Sequence, residues 1–426
     1  MNRRDFLKTA GCALAAQPPA ARKPNIIFIL ADDLGIGGLS CYGADHFRTP
    51  HIDALAKGGT RYTNAYTAPL CGPSRALLMT GRYAFRTGAT NQDATGRMTA
   101  AKETFMPTIL KSAGYVSAAV GKWGQLPLGP AEWGFDEHLK FTGSGTYWNT
   151  QDKGRTYLVN GEKKTLRDKE YLPDVMHDFV SGFMTRHREK PFYLYYSLSH
   201  VHGEILPTPD SAPSTTDHYE DNMKYMDKLV GKLVADLDRL QLRNNTLLVF
   251  FGDNGTAEGY ADRSTIGGKP VSGAKGSMLE GGALVPMIVN WPGKTPAGKV
   301  SADLVDSTDF VPTFAALAGA KLPALVDGHN YAARFQGKNG PAREWIFIQL
   351  ARMWYVREAK WKLNEKGELF DMSGAPFTEP RAENAAARKR LETALAKLNP
   401  AGGILDDGDG SGRHAGRAAK RAKKQK

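Results

Sequence analysis

Two short stretches of the chain gather acids and amides, Asp32-Asp33 and Asp253-Asn254, and three cations, Arg75, Lys122 and Lys275, stand in or beside glycine-containing turns. Three carboxylates and an amide offer only oxygen ligands, a set that suits calcium or magnesium better than zinc, which recruits His or Cys. Arginine and lysine complement a tetrahedral oxyanion such as sulfate or phosphate, Arg through its planar fork. His200 and His202 offer imidazoles that titrate near neutrality, and His202 is the candidate proton donor to a leaving oxygen. Which of the two faces a ligand depends on where the preceding strand ends. One residue is out of character: Cys71, in Leu70-Cys71-Gly72-Pro73-Ser74-Arg75, is a soft ligand among groups suited to hard cations. Each feature alone also has a plain structural explanation, since Asp-Asp caps helices, Asp-Asn-Gly forms turns and a lone loop lysine is usually solvated.

These residues can meet only if strand ends bring them together. Asn25 to Ala31 is a uniformly apolar run that suits a strand buried on both faces, and it ends at Asp32. Val116 to Val120 runs into Gly121-Lys122-Trp123, Pro191 to Ser197 leads to the two histidines, and Thr246 to Phe251 ends in Gly252-Asp253-Asn254-Gly255. Helical patterns fall between them at Ile52 to Gly58, Pro107 to Gly114 and Tyr219 to Leu240, the last with Met223, Met226, Leu229, Val230, Leu233 and Leu237 as a core stripe. Strands alternating with helices predict an α/β fold with a large, mostly parallel sheet, whose ligands bind beyond the carboxyl ends of the strands. Four predicted strands each deliver charged or hydrogen-bonding residues there.

At 426 residues with 41% hydrophobic composition, the chain is long enough for one large domain and a smaller companion. The formal charge of +12 is unevenly spread: residues 410–426 carry seven Arg or Lys and no acid, and residues 1–21 a net +2, which leaves +3 for the body. The balance therefore implies no specific nucleic-acid partner, and 401–426 reads as a flexible, solvated basic tail. Arg3-Arg4 followed by Phe6-Leu7-Lys8 and a small-residue run resembles a twin-arginine export signal over residues 1–21, implying passage through the twin-arginine machinery to the periplasm or beyond. Cys12 makes a poor lipoprotein box, because Thr9 stands where leucine is usual. Cys41 and Cys71 remain in the mature chain, too few for a disulfide framework. The body divides into an α/β domain over 22–339 and a small C-terminal subdomain over 340–400, read as an antiparallel sheet of three runs packed by a helix from Glu379 to Leu398; Lys294 to Lys299 and Pro323 to Lys338 are predicted loops.

Cys71-Gly72-Pro73-Ser74-Arg75 followed by Thr80-Gly81-Arg82 resembles the signature of the formylglycine-dependent sulfatases of the alkaline phosphatase superfamily. Further matches are Asn25 to Gly35, Thr49 to Asp53, Gly121-Lys122-Trp123, Gly134 to Glu137, Gly252 to Gly255, Lys275-Gly276 with Glu280-Gly281-Gly282, Trp361-Lys362-Leu363 and Glu368 to Asp371. The resemblance implies that a separate formylglycine-generating enzyme oxidises Cys71 to Cα-formylglycine. Its hydrate then supplies an oxygen nucleophile and a hard metal ligand, which removes the mismatch with the acids. It further implies a Ca²⁺ (less readily Mg²⁺) held by Asp32, Asp33, residue 71, Asp253 and Asn254, in-line attack on the sulfur of a sulfate ester near Arg75, charge stabilisation by Lys122 and Lys275, and protonation of the leaving alcohol by His202 or Lys275. Collapse of the remaining hydroxyl then expels sulfate. Many members follow Gly-Lys-Trp with histidine, whereas here Gly124-Gln125 follow, so Gln125 or His200 is the candidate replacement. The implied substrate is a sulfated glycan or related sulfate ester, with Tyr147, Trp148, Trp133 and Tyr157 as candidates for a sugar platform. Phosphodiester or phosphonate ester hydrolysis, and glycan binding by an unconverted Cys71, are the alternatives.

Overall fold

The computed structural model describes residues 22–150 and 156–400; the predicted export signal, Cys12 and the basic tail lie outside them. A ten-stranded sheet is formed by β1 (Asn25–Ala31), β2 (Thr60–Tyr66), β3 (Val116–Lys122), β4 (Glu137–Phe141), β5 (Thr156–Val159), β6 (Glu162–Thr165), β7 (Phe192–Ser197), β8 (Thr246–Gly252), β11 (Met287–Asn290) and β12 (Lys299–Asp306); β9 (Thr265–Ile266) and β10 (Lys269–Pro270) make a separate small ribbon. The order is β12-β2-β11-β8-β1-β7-β3-β4-β5-β6. Strands β8, β1, β7, β3 and β4 run parallel through the centre, β2 and β12 pair in parallel, and β11 and β5 are reversed. The sheet is the large, mostly parallel one that the alternation of strands and helices predicts.

Strand β1 shows why the run at 25–31 is apolar throughout. Ile27, Ile29 and Ala31 join one hydrophobic core with the helices Leu172–Arg186 and His218–Arg239, while Ile26, Phe28 and Leu30 join a second with the helices Cys71–Thr80, Met106–Lys111 and Phe310–Ala318. Both faces are covered, so period-2 alternation has no polar side to display. The six core-stripe residues of the His218–Arg239 helix are all buried. Six strands of the sheet, β2, β4, β5, β6, β11 and β12, have no counterpart in the predicted elements, and β12 begins at Lys299, the last residue of a predicted loop. Five of them lie toward the two margins of the sheet and mix polar with apolar residues, whereas β11 is buried but only four residues long.

The small sheet has four strands, β13 (Ile346–Leu350), β14 (Met353–Arg357), β15 (Trp361–Asn364) and β16 (Leu369–Asp371), all antiparallel, one more than predicted. Its helix spans Ala385–Leu398, six residues shorter at the start than the pattern suggests. Pro380 disfavours helical geometry at Glu379, and Asn384 caps the helix by accepting the Ala387 N–H. Glu379 is instead drawn into the seam with the large domain, accepting from the Glu280 backbone N–H at 2.6 Å and pairing with Lys362.

Candidate active site

The tips of the central strands are tied together before their side chains act. Strand β1 is flanked by β7 and β8 in register up to Leu30–Ser197 and Ala31–Gly252. The backbone then continues the contact, with Asp32 N–H donating to His200 O at 2.7 Å and Asp253 N–H to Ala31 O at 2.9 Å. Asp32, Asp33, Asp253 and Asn254 are all buried at this end. Lys122, the last residue of β3, donates to both oxygens of Asp32 at 2.8 and 2.6 Å. Lys275 donates to Asp33 Oδ1 at 2.6 Å, and Asn254 Nδ2 donates to the same oxygen at 2.9 Å. Asp253 accepts the Asp33 N–H at 3.1 Å and Arg75 Nη2 at 2.8 Å.

Cys71 enters this cluster as the first residue of a buried ten-residue helix, Cys71–Thr80. With Leu70 as N-cap and no side-chain cap, the positive end of the helix dipole is left for whatever residue 71 carries. One turn on, Arg75 Nη1 donates to Lys122 O at 2.7 Å, Ser197 Oγ at 2.5 Å and Tyr195 Oη at 3.1 Å. A charge at Cys71 acts on Arg75, Lys122 and Lys275 alike, so the four share one electrostatic site. The motif's end does something else: Arg82 pairs with Glu103 through 2.8 and 2.7 Å bonds and fixes the turn after the helix.

Comparisons with known proteins point to one family. The family model described as Sulfatase matches residues 24–320. The chain belongs to the sulfatase family. The sulfatase is 32% identical to an N-acetylgalactosamine-6-O-sulfatase of Bacteroides thetaiotaomicron over 82% of this chain and 83% of that one. It is 32% identical to human arylsulfatase A over 90% and 82% of the two chains. Among solved structures, Ps i-CgsB in complex with k-i-k-neocarrahexaose aligns with a TM-score of 0.79 and 29% identity, over 92% of this chain and 94% of that one.

The sulfatase's charges are mutually dependent. Burial and the neighbouring Asp253 push Asp32 up to about 8, against the pull of Lys122. Burial works against the charges of Lys122 and Lys275, but the surrounding acids, Asp32 and Asp33 foremost, outweigh it and hold both above their usual range. Burial, then Lys122, lowers His202 to about 4, so its imidazole is neutral at neutral pH. His202 Nε2 lies 3.8 Å from Asp33 Oδ2, and Asp32, Asp33 and His202 have ligand atoms within 4.8 Å of one another. A hard cation fits here: Asn254 Oδ1 is buried with no hydrogen-bond partner among the described residues, and the carboxylates of Asp32, Asp33 and Asp253 are buried at the same strand ends.

His200 is not brought to Cys71. It is fully buried, its Nε2 is 2.9 Å from Tyr171 Oη, and its ring packs among Tyr147, Tyr171 and Tyr225, where burial lowers its pKa to about 3. The chain follows β1 as far as Val201 and turns there, with His202 N–H donating to Ser199 O at 3.0 Å, so the two histidines meet different partners. Gln125 does approach, with Oε1 3.6 Å from Cys71 Sγ. Half of the predicted sugar platform is core: Tyr147 is fully buried and donates to Ser199 O and His202 O, and Trp133 stacks on Phe105 at 3.7 Å. Trp148 and Tyr157 keep part of their surface exposed. Cys41 and Cys71 are both free thiols. Residues that sequence reasoning missed include Ser197 and Tyr195, which hold Arg75, and Gln92, whose Nε2 is 3.1 Å from Cys71 Sγ. Only its place twenty-one residues beyond the motif cysteine, in an unremarked polar stretch, marked Gln92.

Proposed function

We propose that this sulfatase removes sulfate from a sulfated carbohydrate, using residue 71 in its formylglycine form and a Ca²⁺ ion. The observation that carries the reading is the junction of Cys71, at a helix N-terminus, with buried oxygen ligands from two neighbouring strand tips and three cations. Asp32, Asp33, Asp253 and Asn254, with an oxygen on residue 71, would hold the ion. When present, the formylglycine supplies an oxygen nucleophile and the cation polarises the sulfuryl group.

The chain's own residues do the rest. Lys122 and Lys275 bring positive charge to the sulfuryl oxygens as charge redistributes, and Arg75, locked by Ser197, Tyr195 and Asp253, orients the residue-71 end of its helix. His202 serves the leaving alcohol. Alone it holds a proton too loosely, and Lys275 holds one too tightly; an anionic substrate offsets Lys122 and raises His202 toward neutrality, so His202 is the better donor. The carbohydrate substrate is supported by the N-acetylgalactosamine-6-O-sulfatase relative and the neocarrahexaose-bound neighbour. Maturation by a formylglycine-generating enzyme and export by the twin-arginine route complete the reading, which places the protein in the periplasm or outside the cell.

The test is peptide mass spectrometry at residue 71 in protein made with a maturing enzyme, followed by turnover of an aryl sulfate, a phosphodiester and a panel of sulfated mono- and oligosaccharides. The reading expects an aldehyde, a strong preference for sulfate esters, and desulfation within the sugar panel. A plain thiol, or faster phosphodiester cleavage, sinks it.

A further inference from the structure

Two carboxamides close on the side chain at position 71. Gln92 Oε1 accepts the Gly72 N–H at 2.6 Å, an otherwise uncapped donor of the helix N-terminus, and this settles the sense of the amide: its Nε2–H points at Cys71 Sγ, 3.1 Å away. Gln125 Oε1 lies 3.6 Å from the same sulfur, on the accepting side of an S–H. A Cβ on residue 72 would stand 2.4 Å from Gln92 Oε1 and 3.4 Å from Gln125 Cβ, so glycine is what lets both approach. Among the described residues these two amides are the side chains hydrogen-bonded to Cys71 Sγ, and neither ionises.

No histidine takes their place. His200 is committed to Tyr171, and His202 lies against Asp33. Gly124, where many family members carry the histidine, has φ +73, and a Cβ there would meet Arg75 Cδ at 2.9 Å. Arg75 and the chain path thus leave no room for a side chain at the usual position.

The Cys71 sulfur stands in for the oxygens that a formylglycine head group carries. We propose that Gln92 is a positioning residue for that head group: its Nε2–H donates to one oxygen while Gln125 Oε1 accepts from the other, two neutral amides serving where relatives use an imidazole. The inference deepens the proposed function and rests on conversion of Cys71. An amide keeps the same donor sense at every pH at which the protein is folded, so the head group stays oriented without depending on a proton.

The test uses the full chain made with a maturing enzyme, with conversion of Cys71 verified in each sample. Gln92→Glu keeps the size and the acceptor for Gly72 N–H but exchanges the donor for a second acceptor; Gln92→Ala removes both. For each variant kcat on an aryl sulfate is expected to fall about a hundredfold, the loss typical of one preorganised donor, with KM within about twofold. Labelling of the native protein by hydroxylamine, which reads the free aldehyde rather than turnover, is expected to be several times faster than in the wild type, because the hydrated form loses a hydrogen bond. Wild-type kcat and labelling in Gln92→Glu would overturn the proposal, as would a lowered melting temperature with unchanged labelling, which marks a structural role. A converted wild type without sulfatase activity, or a wild type left as a thiol, fails earlier and overturns the underlying reading together with this one.

Discussion

At the seam between the large and small sheets, Arg343 places every guanidinium nitrogen on a partner, whereas at the carboxyl ends of the strands the buried polar groups are only partly matched. Arg343 Nε and Nη2 bond Asp309 at 2.6–2.9 Å, Nη2 also reaches Thr308 Oγ1 and Asp327 O, and Nη1 reaches Tyr83 Oη. In the site, Asn254 Oδ1 and Arg75 Nε find no partner among the described residues, and Asp32 is pushed up to about 8. Both regions carry the desolvation cost of buried charge, several kcal/mol per ion. A fully partnered guanidinium returns that cost as a fixed link at the seam. An unsaturated site leaves ligand capacity, and strain that only a bound partner relieves.

The sharpest way to break this contrast is to remove one centre from each region. Cys71→Ala is expected to lower aryl-sulfate turnover by more than about 10³-fold, as for a nucleophile acting within a catalytic unit, with little change in melting temperature. A large loss of stability instead would show that the residue is structural. Arg343→Ala should do the reverse, destabilising the fold by about 3–5 kcal/mol because Asp309 is left buried and unpaired, while the protein still folded at low temperature keeps its kcat. Denaturant melts and kinetics on the same samples read both outcomes.

Within the site, His202→Ala is expected to lower kcat about a hundredfold on substrates with a poor leaving alcohol, and far less on aryl sulfates with an acidic one. Equal losses on both would remove His202 from leaving-group protonation. A calcium titration sharpens the electrostatic side of the comparison. In chelator, Asp32 has a folded-state pKa of about 8 against an ordinary 3.8, so its contribution to stability is present in acid and lost as pH rises toward 8. Calcium, binding the ionised form, should remove that decline and add about 2.7 kcal/mol at a hundredfold excess over its Kd. Melting curves at pH 5.5 and pH 8, with and without the ion, that run parallel would refute this. The smallest effect belongs to Gln125→Ala, a few-fold fall in kcat; unchanged turnover would leave Gln92 as the sole amide contact that matters.

Much of the site is legible in the amino-acid sequence. Asp32-Asp33, Lys122 and Asp253-Asn254 each terminate a run whose uniform apolarity marks a strand covered on both faces, and such strands in a parallel sheet end at one side. The Cys71 motif marks the helix that carries the nucleophile. Strands β2, β4, β5, β6 and β12 are not legible, because toward the sheet margins the pattern mixes polar with apolar residues, and β11, buried and apolar, is a run of only four. The aromatic run at Tyr147-Trp148 misleads for a related reason: an aromatic side chain is equally suited to a buried seat and to a sugar, and only Tyr147's bonds to the His202 loop decide its case.

By itself the sequence determined the chemistry on offer, oxygen ligands, cations and one special cysteine, because residue type and strand periodicity are local properties. It also determined that these groups share one end of a sheet. The tertiary structure alone decided which of two nearby histidines faces the acids and which polar side chain touches residue 71. The turn at His200–Val201 leaves His200 in a tyrosine cluster and His202 toward Asp33, and the fold carries Gln92 back to the Cys71 helix. Such approaches depend on the summed path of many residues, and no local pattern encodes them.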